Sequence, residues 1–161
     1  MKIFLLILAL FSFTANANDY VGIPIGNLID FEPIEAETKA SKQIIIEGPF
    51  KGLFSIFGQY KAHVSVTSKL LIMAEAEKIY SSFEICSSDT IQIWEKLKQK
   101  FGKPAQDDNQ TWWFNIEDQQ KISINCRIYG ASGKIAMNIT VVDSDLAVTT
   151  MKEWEEKTLN Q

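Results

Sequence analysis

The sequence is poor in the residues that most often carry out catalysis, since it has one histidine, His63, one arginine, Arg127, and two cysteines. A serine or cysteine nucleophile needs a neighbouring base, usually histidine, and zinc needs three or four closely spaced ligands. The glycine-containing segment at 130–134 is too short for a phosphate-binding loop. We therefore expect that the chain is not an enzyme and that it binds no cofactor or metal. The sequence leaves open a carboxylate pair of the kind that cleaves glycosides.

Positive charge is also scarce, and this limits the class of partner. Sixteen lysines and arginines stand against 20 aspartates and glutamates, for a net charge of −4. Nucleic acids and anionic membranes bind clustered basic surfaces, so neither is expected as a partner. An acidic stretch is either a solvated loop or a contact surface for a basic partner; it contains Asp30, Glu32, Glu35 and Glu37.

The N-terminus has the three parts of a cleavable secretory signal. Lys2 is followed by an apolar run from Ile3 to Phe13 and then by Ala15-Asn16-Ala17, which predicts cleavage before Asn18. The apolar run is much shorter than the roughly 20 residues of a membrane-spanning helix. We expect a signal peptide at 1–17, an irregular arm at 18–42 and a single domain at 43–161 on which the arm packs. The mature chain is expected to be periplasmic or secreted, with no stable membrane anchor.

Two cysteines in an exported protein are most simply explained by a disulfide. Cys86 and Cys126 are the pair, and the alternative of a reactive or metal-binding pair lacks further ligands nearby. In the chain-entropy account, closing a loop of this length stabilises the fold by about 4 kcal/mol.

Periodicity and turn residues predict an α+β fold. One helix is expected from about Thr90 to Phe101, with Ser87-Ser88-Asp89 as its N-terminal cap and Gly102 and Pro104 after its end. Alternating apolar residues predict an antiparallel sheet of about five to six strands, with that helix on one face and a further helix from Ser144 or Asp145 to about Thr158. The second strand of the first hairpin also suits a helix. The expected strands are 43–47, 60–67, 70–79, 112–116, 121–129 and 135–142.

One short segment resembles part of a known family. Leu97, Phe101-Gly102-Lys103-Pro104 and then Trp112-Trp113 are similar to the helix, Gly-x-Pro and aromatic-strand element of small outer-membrane assembly lipoproteins. The chain differs from that family because it has no cysteine for lipidation after the signal and has strands before the helix. The resemblance transfers no site residues.

Three residues are the candidates for partner binding. In the strands at 112–116 and 121–129, alternation places Trp113, Arg127 and Tyr129 on the face opposite the apolar core residues. Tryptophan, tyrosine and arginine are enriched at binding hot spots. The turn at 130–133 adjoins them. The alternative is that this face is packed, for example under the C-terminal helix.

These patterns favour a non-enzymatic, exported protein-binding domain, such as an inhibitor or immunity protein against an envelope-acting enzyme or toxin. One alternative is a carrier of a small apolar ligand or lipid, with a pocket between helix and sheet. Its lining would be Phe50, Phe54, Phe57 and Trp94. An accessory role in envelope assembly and a minor hydrolase are the others. On this view His63 is solvent-exposed rather than catalytic.

Overall fold

A computed structural model describes residues 20–29, 40–117 and 119–159. These residues form one antiparallel sheet of seven strands and two α-helices, which confirms the α+β class. The signal peptide expected at 1–17 and the acidic stretch at 30–39 lie outside these described residues. The helices are α1 (Phe83–Phe101) and α2 (Ser144–Leu159). The strands are β1 (Ser41–Glu47), β2 (Gln59–Ser65), β3 (Leu71–Tyr80), β4 (Ala105–Gln106), β5 (Trp112–Glu117), β6 (Gln120–Tyr129) and β7 (Lys134–Asp143).

The sheet order is β1-β2-β3-β7-β6-β5-β4. The expected count of five to six strands was too low because β4 has two residues, too few for any alternation to be visible. The segment expected at 70–79 is the strand Leu71–Tyr80 rather than a helix, since Ala74 pairs with Ala62 on one side and with Val141 on the other. Pairing of β3 with β7 joins the first hairpin to the later strands, and this contact fixes the middle of the sheet.

Helix α1 begins earlier than predicted. Ser82 is its N-cap and accepts a hydrogen bond from the Ile85 amide at 3.4 Å, whereas the expected cap residues at 87–89 lie inside the helix. Asp89 does not cap the helix. Its carboxylate instead accepts a hydrogen bond from the Tyr80 hydroxyl at 2.8 Å. Burial, helped by this bond, raises the pKa of Tyr80 to about 12. The predicted end is confirmed, since Gly102 follows Phe101 with φ 82°, a conformation that glycine adopts at little cost.

The core lies between α1 and one face of the sheet. Leu97 and Phe114 are fully buried there, and the Trp94 ring meets Phe114 edge-on with centroids 4.8 Å apart. The predicted disulfide is present, with Cys86 and Cys126 joined and their Cα atoms 5.9 Å apart. It connects the first turns of α1 to the inward face of β6.

The N-terminal arm completes this core. Val21, Ile23 and Ile25 are buried, so the irregular arm packs on the sheet domain through alternate residues. The arm approaches the 3-10 turn at Gly52–Ile56 very closely. A Cβ on Gly22 would lie 1.9 Å from the Lys51 carbonyl oxygen, and both Gly22 and Gly52 have positive φ.

Replacing Gly22 by alanine is therefore expected to lower the free energy of unfolding by more than about 2 kcal/mol, because the methyl group displaces the arm and the left-handed backbone is strained. Urea denaturation measures the loss. Gly58→Ala is the matched control, since no atom lies within 4 Å of its added Cβ, and it should cost under about 1 kcal/mol. Equal losses in the two variants would contradict the close approach of the arm.

Helix α2 follows β7 directly. Asp143 Oδ1 accepts bonds from the Leu146 and Asp145 amides at 2.9 and 3.1 Å, which caps the helix start. Thr150 is buried, and α2 packs against β3 and β7, so the predicted C-terminal helix docks on the domain. Within the described ranges, neither helix is long and apolar enough to cross a membrane.

Candidate functional site

The face of the sheet turned away from α1 carries polar side chains in rows across the strands, and we call it the open face. The strand register places Lys61, Glu75, Thr140 and Ser123 in one row. The next row contains Glu77, Asn138 and Asn125, and the following one Ile79, Ala136 and Arg127. Because successive side chains of a strand point to opposite faces, the apolar residues on the α1 side alternate with mostly polar residues on this face.

A groove of about 670 Å³ lies on the open face. The side chains at the centre of the groove are short, namely Ser123 and Asn125 on β6 and Asn138 and Thr140 on β7. Longer side chains surround them on the neighbouring strands and at the strand ends, with Trp113, Tyr129 and Lys61 among the lining residues. This difference in side-chain length produces the concave surface.

Trp113 is held in place at one edge of the groove. Its indole Nε1–H donates to Asp107 Oδ2 at 2.9 Å, while Asp107 Oδ1 accepts from the Thr111 and Asn109 amides at 2.8 and 3.0 Å. The bond from Trp113, followed by the one from Thr111, lowers the pKa of Asp107 below its usual value. The neighbouring Trp112 lies on the other side of β5 and is 46% exposed, so the two tryptophans have different environments.

The link between Asp107 and Trp113 predicts a specific pH response. A carboxyl whose pKa is lowered by folding stabilises the fold above its unfolded pKa of about 3.9, and this contribution is lost as the pH falls through the folded value. The NMR signal of the Trp113 indole N–H should therefore keep its position from pH 7 to about pH 4 and move only at lower pH. The Trp112 indole is the control and should show no such step. A Trp113 step centred above pH 4 would contradict the arrangement.

Tyr129 and Lys134 form the opposite end of the groove. The Tyr129 hydroxyl donates to Asn138 Oδ1 at 3.0 Å, and the Lys134 ammonium lies 5.6 Å from the Tyr129 ring centroid. Lys134 also forms an ion pair with Glu77. These contacts orient an aromatic ring that is still 39% exposed.

Both acidic residues of the groove have partners, whereas two of its cations have none. His63 Nε2 lies 3.0 Å from Glu75 Oε2, so the expectation that His63 is freely exposed was wrong, because its side chain is only 13% exposed. Glu77 is paired with Lys134. Lys61 and Arg127, both exposed, have no hydrogen bond or ion pair with any residue that the structure describes.

The groove floor contains one unsatisfied acceptor. Asn125 Oδ1 is buried and receives no hydrogen bond from the described part of the chain. A buried carbonyl oxygen without a donor is uncommon in folded proteins. Because this oxygen has almost no accessible surface, a ligand in the groove does not reach it unless neighbouring side chains move.

The three residues predicted from sequence, Trp113, Arg127 and Tyr129, all line this groove. The alternative, that α2 covers them, is not what the structure has, since among the described residues neither helix contributes to the groove lining. The turn at 130–133 adjoins Tyr129 but lies outside the lining. Sequence reasoning missed three groove residues, Lys61, Asn125 and Asn138. Alternation placed each of them on the polar face of its own strand, but it did not show that these strands join in one sheet.

The residues expected to line a carrier pocket are packed instead. Phe54 and Phe57 are buried, the Phe50 ring lies 5.0 Å from Tyr60, and Trp94 rests on Phe114. None of the four lines the groove. Across the described ranges, no three histidine, cysteine or carboxylate side chains are close enough together to hold a metal ion.

Comparison of the chain with known protein families, with curated proteins and with solved structures finds no match.

Proposed function

We propose that this chain is an exported, non-enzymatic binding protein that contacts another protein through the groove on its open face. The proposal rests on one observation: the same concave surface contains Trp113, Arg127 and Tyr129. Among the described residues, neither helix contributes to that surface. These three residue types dominate binding energy at protein interfaces. An inhibitor or immunity protein that blocks an envelope-acting enzyme or toxin is the class that fits best.

The hydrogen bonds of the aromatic residues support this role. Trp113 is bonded to Asp107 and Tyr129 to Asn138, so both rings are oriented before any partner arrives. Side chains that are already ordered lose less conformational entropy on association, which favours affinity. The core is on the other side of the sheet, so substitutions in the groove can change binding with little effect on folding.

The carrier alternative receives less support. Small-ligand sites are mostly apolar and enclose the ligand, whereas the groove is open and combines Ser123, Thr140 and two asparagines with charged side chains. The apolar residues that would form a lipid pocket are packed in the core or against it. A surface of this kind suits the polar and aromatic contacts of a protein partner.

Native mass spectrometry of tagged protein isolated from the periplasm tests the proposal. We expect a complex with one further protein in fixed stoichiometry, and we expect the Trp113→Ala variant, isolated in the same way, to lose that partner. A small molecule retained by both the parent protein and the Trp113→Ala variant would favour the carrier.

The proposed export predicts a processed and oxidised protein. The protein recovered from the periplasmic fraction should have the mass of a chain that begins at Asn18, with Cys86 and Cys126 oxidised. Intact-mass measurement before and after reduction checks both points. A full-length chain with two free thiols, recovered from the cytoplasm, would contradict export.

A further inference from the structure

We infer that the groove takes an extended acidic segment of the partner protein, whose carboxylates meet Lys61 and Arg127. This inference rests on the proposed function and adds the chemistry of the partner to it. Its basis is the charge of the groove and the spacing of its two unpaired cations.

The groove is positive within an acidic protein. Three cations, Lys61, Arg127 and Lys134, line it against two carboxylates, Glu75 and Glu77. The carboxylates contact His63 and Lys134, while Lys61 and Arg127 have no partner among the described residues. The chain as a whole has a net charge of −4. A surplus of cations at this place on an otherwise acidic protein selects a partner surface of opposite charge and directs its approach.

The spacing of the two cations indicates an extended partner. Lys61 lies on β2 and Arg127 on β6, and two strands separate them in the sheet. Their rows are four residues apart along β3, from Glu75 to Ile79. With strands about 4.8 Å apart and a rise of about 3.3 Å per residue, their Cα positions are about 20 Å apart across the groove. One compact anion such as phosphate does not reach both, whereas a peptide segment of about six extended residues does.

The acceptor on the groove floor lies between the two cations. Asn125 is on β6 in the row between that of Lys61 and that of Arg127, and its buried Oδ1 has no donor in the described part of the protein. A segment that runs from one cation to the other crosses the row of polar side chains that contains Asn125 and Asn138. Tyr129 follows Arg127 by two residues on β6 and lies beside this path, whereas Trp113 lies on β5 in the row of Lys61, at the far edge of the groove.

Selection from a random twelve-residue peptide display library tests the inference, with the exported chain from Asn18 immobilised. We expect the selected peptides to be enriched in aspartate and glutamate at two or more positions. A synthetic copy of the best peptide should bind about tenfold more weakly to Lys61→Gln/Arg127→Gln, and more weakly in high salt. Lys96→Gln/Lys103→Gln, with both lysines exposed outside the groove, is the matched control and should bind like the parent protein.

The outcomes separate the inference from the proposed function. Peptides that need Trp113 but show no acidic excess, or that bind Lys61→Gln/Arg127→Gln normally, overturn the inference and leave the protein-binding groove standing. Peptides insensitive to Trp113→Ala and to the double variant overturn both, as does a selection that yields none. A saccharide bound on a glycan array and lost in Trp113→Ala would replace the protein partner and also overturn both.

Discussion

Replacing Trp113 and Arg127 together by alanine is expected to weaken partner binding by about 100-fold or more, while the melting temperature falls by only a few degrees. Hot-spot tryptophans and arginines each contribute about 2 kcal/mol or more at the centre of an interface. Arg127 is exposed and has no partner among the described residues, so its loss should have little effect on folding. Calorimetric titration with the partner and thermal unfolding of the free variant measure the two effects.

The adjacent residue provides a control for this variant. Trp112→Ala removes the same side chain from the other side of β5, where it is exposed and outside the groove lining, so it should leave affinity unchanged. A large loss of stability in Trp113→Ala/Arg127→Ala would instead favour a packing role for these side chains. Equal loss of affinity in the Trp112 variant would move the contact surface away from the groove.

Removing the disulfide is expected to have the largest effect on stability. The Cys86–Cys126 bridge closes a loop with a sequence separation of 40, and constraining such a loop in the unfolded chain contributes about 4 kcal/mol. Cys86→Ser/Cys126→Ser should therefore lower the free energy of unfolding by about that amount, out of a typical total of about 5–15 kcal/mol. Chemical denaturation of the variant measures the loss.

Reduction of the parent protein is the control for this prediction, since it breaks the same bond without changing the sequence and should reproduce most of the loss. The bridge lies on the α1 side of the sheet, away from the groove. The double serine variant should therefore bind the partner normally at temperatures at which it is folded. A loss below about 1 kcal/mol, or a specific loss of binding by a stably folded variant, would contradict this account.

The sequence predicted the elements better than their arrangement. Alternation in residues 121–129 and 135–142 identified two long strands, although Ile128, on the same face as the buried Ile122 and Ile124, is 58% exposed. The helix start was missed because Ser87, Ser88 and Asp89 are typical cap residues, yet Ser82 provides the cap and Asp89 bonds Tyr80 instead. Val21 in the arm is buried because the backbone approaches closely at two glycines, Gly22 and Gly52. No periodic pattern in the sequence reveals that approach.

The sequence likewise predicted only part of the groove. Trp113, Arg127 and Tyr129 lie on sequential strands, so alternation alone was enough to place them on one face. Lys61 joins them only because β3 pairs with β7, a contact between segments distant in sequence. The ion pair of Glu77 with Lys134 also depends on the pairing of β3 with β7, whereas Glu75 meets His63 within the β2–β3 hairpin.

Site-specific photocrosslinking in the periplasm tests the central claim, that the open face is the binding surface, most directly. A photoreactive phenylalanine derivative is placed at Trp113 or Tyr129 in the groove, and at Trp112 or Ile91 on other exposed surfaces. We predict that both groove positions form an adduct with the same protein, identified by mass spectrometry, and that the other two do not. Adducts from Trp112 or Ile91, with none from the groove positions, would contradict the account.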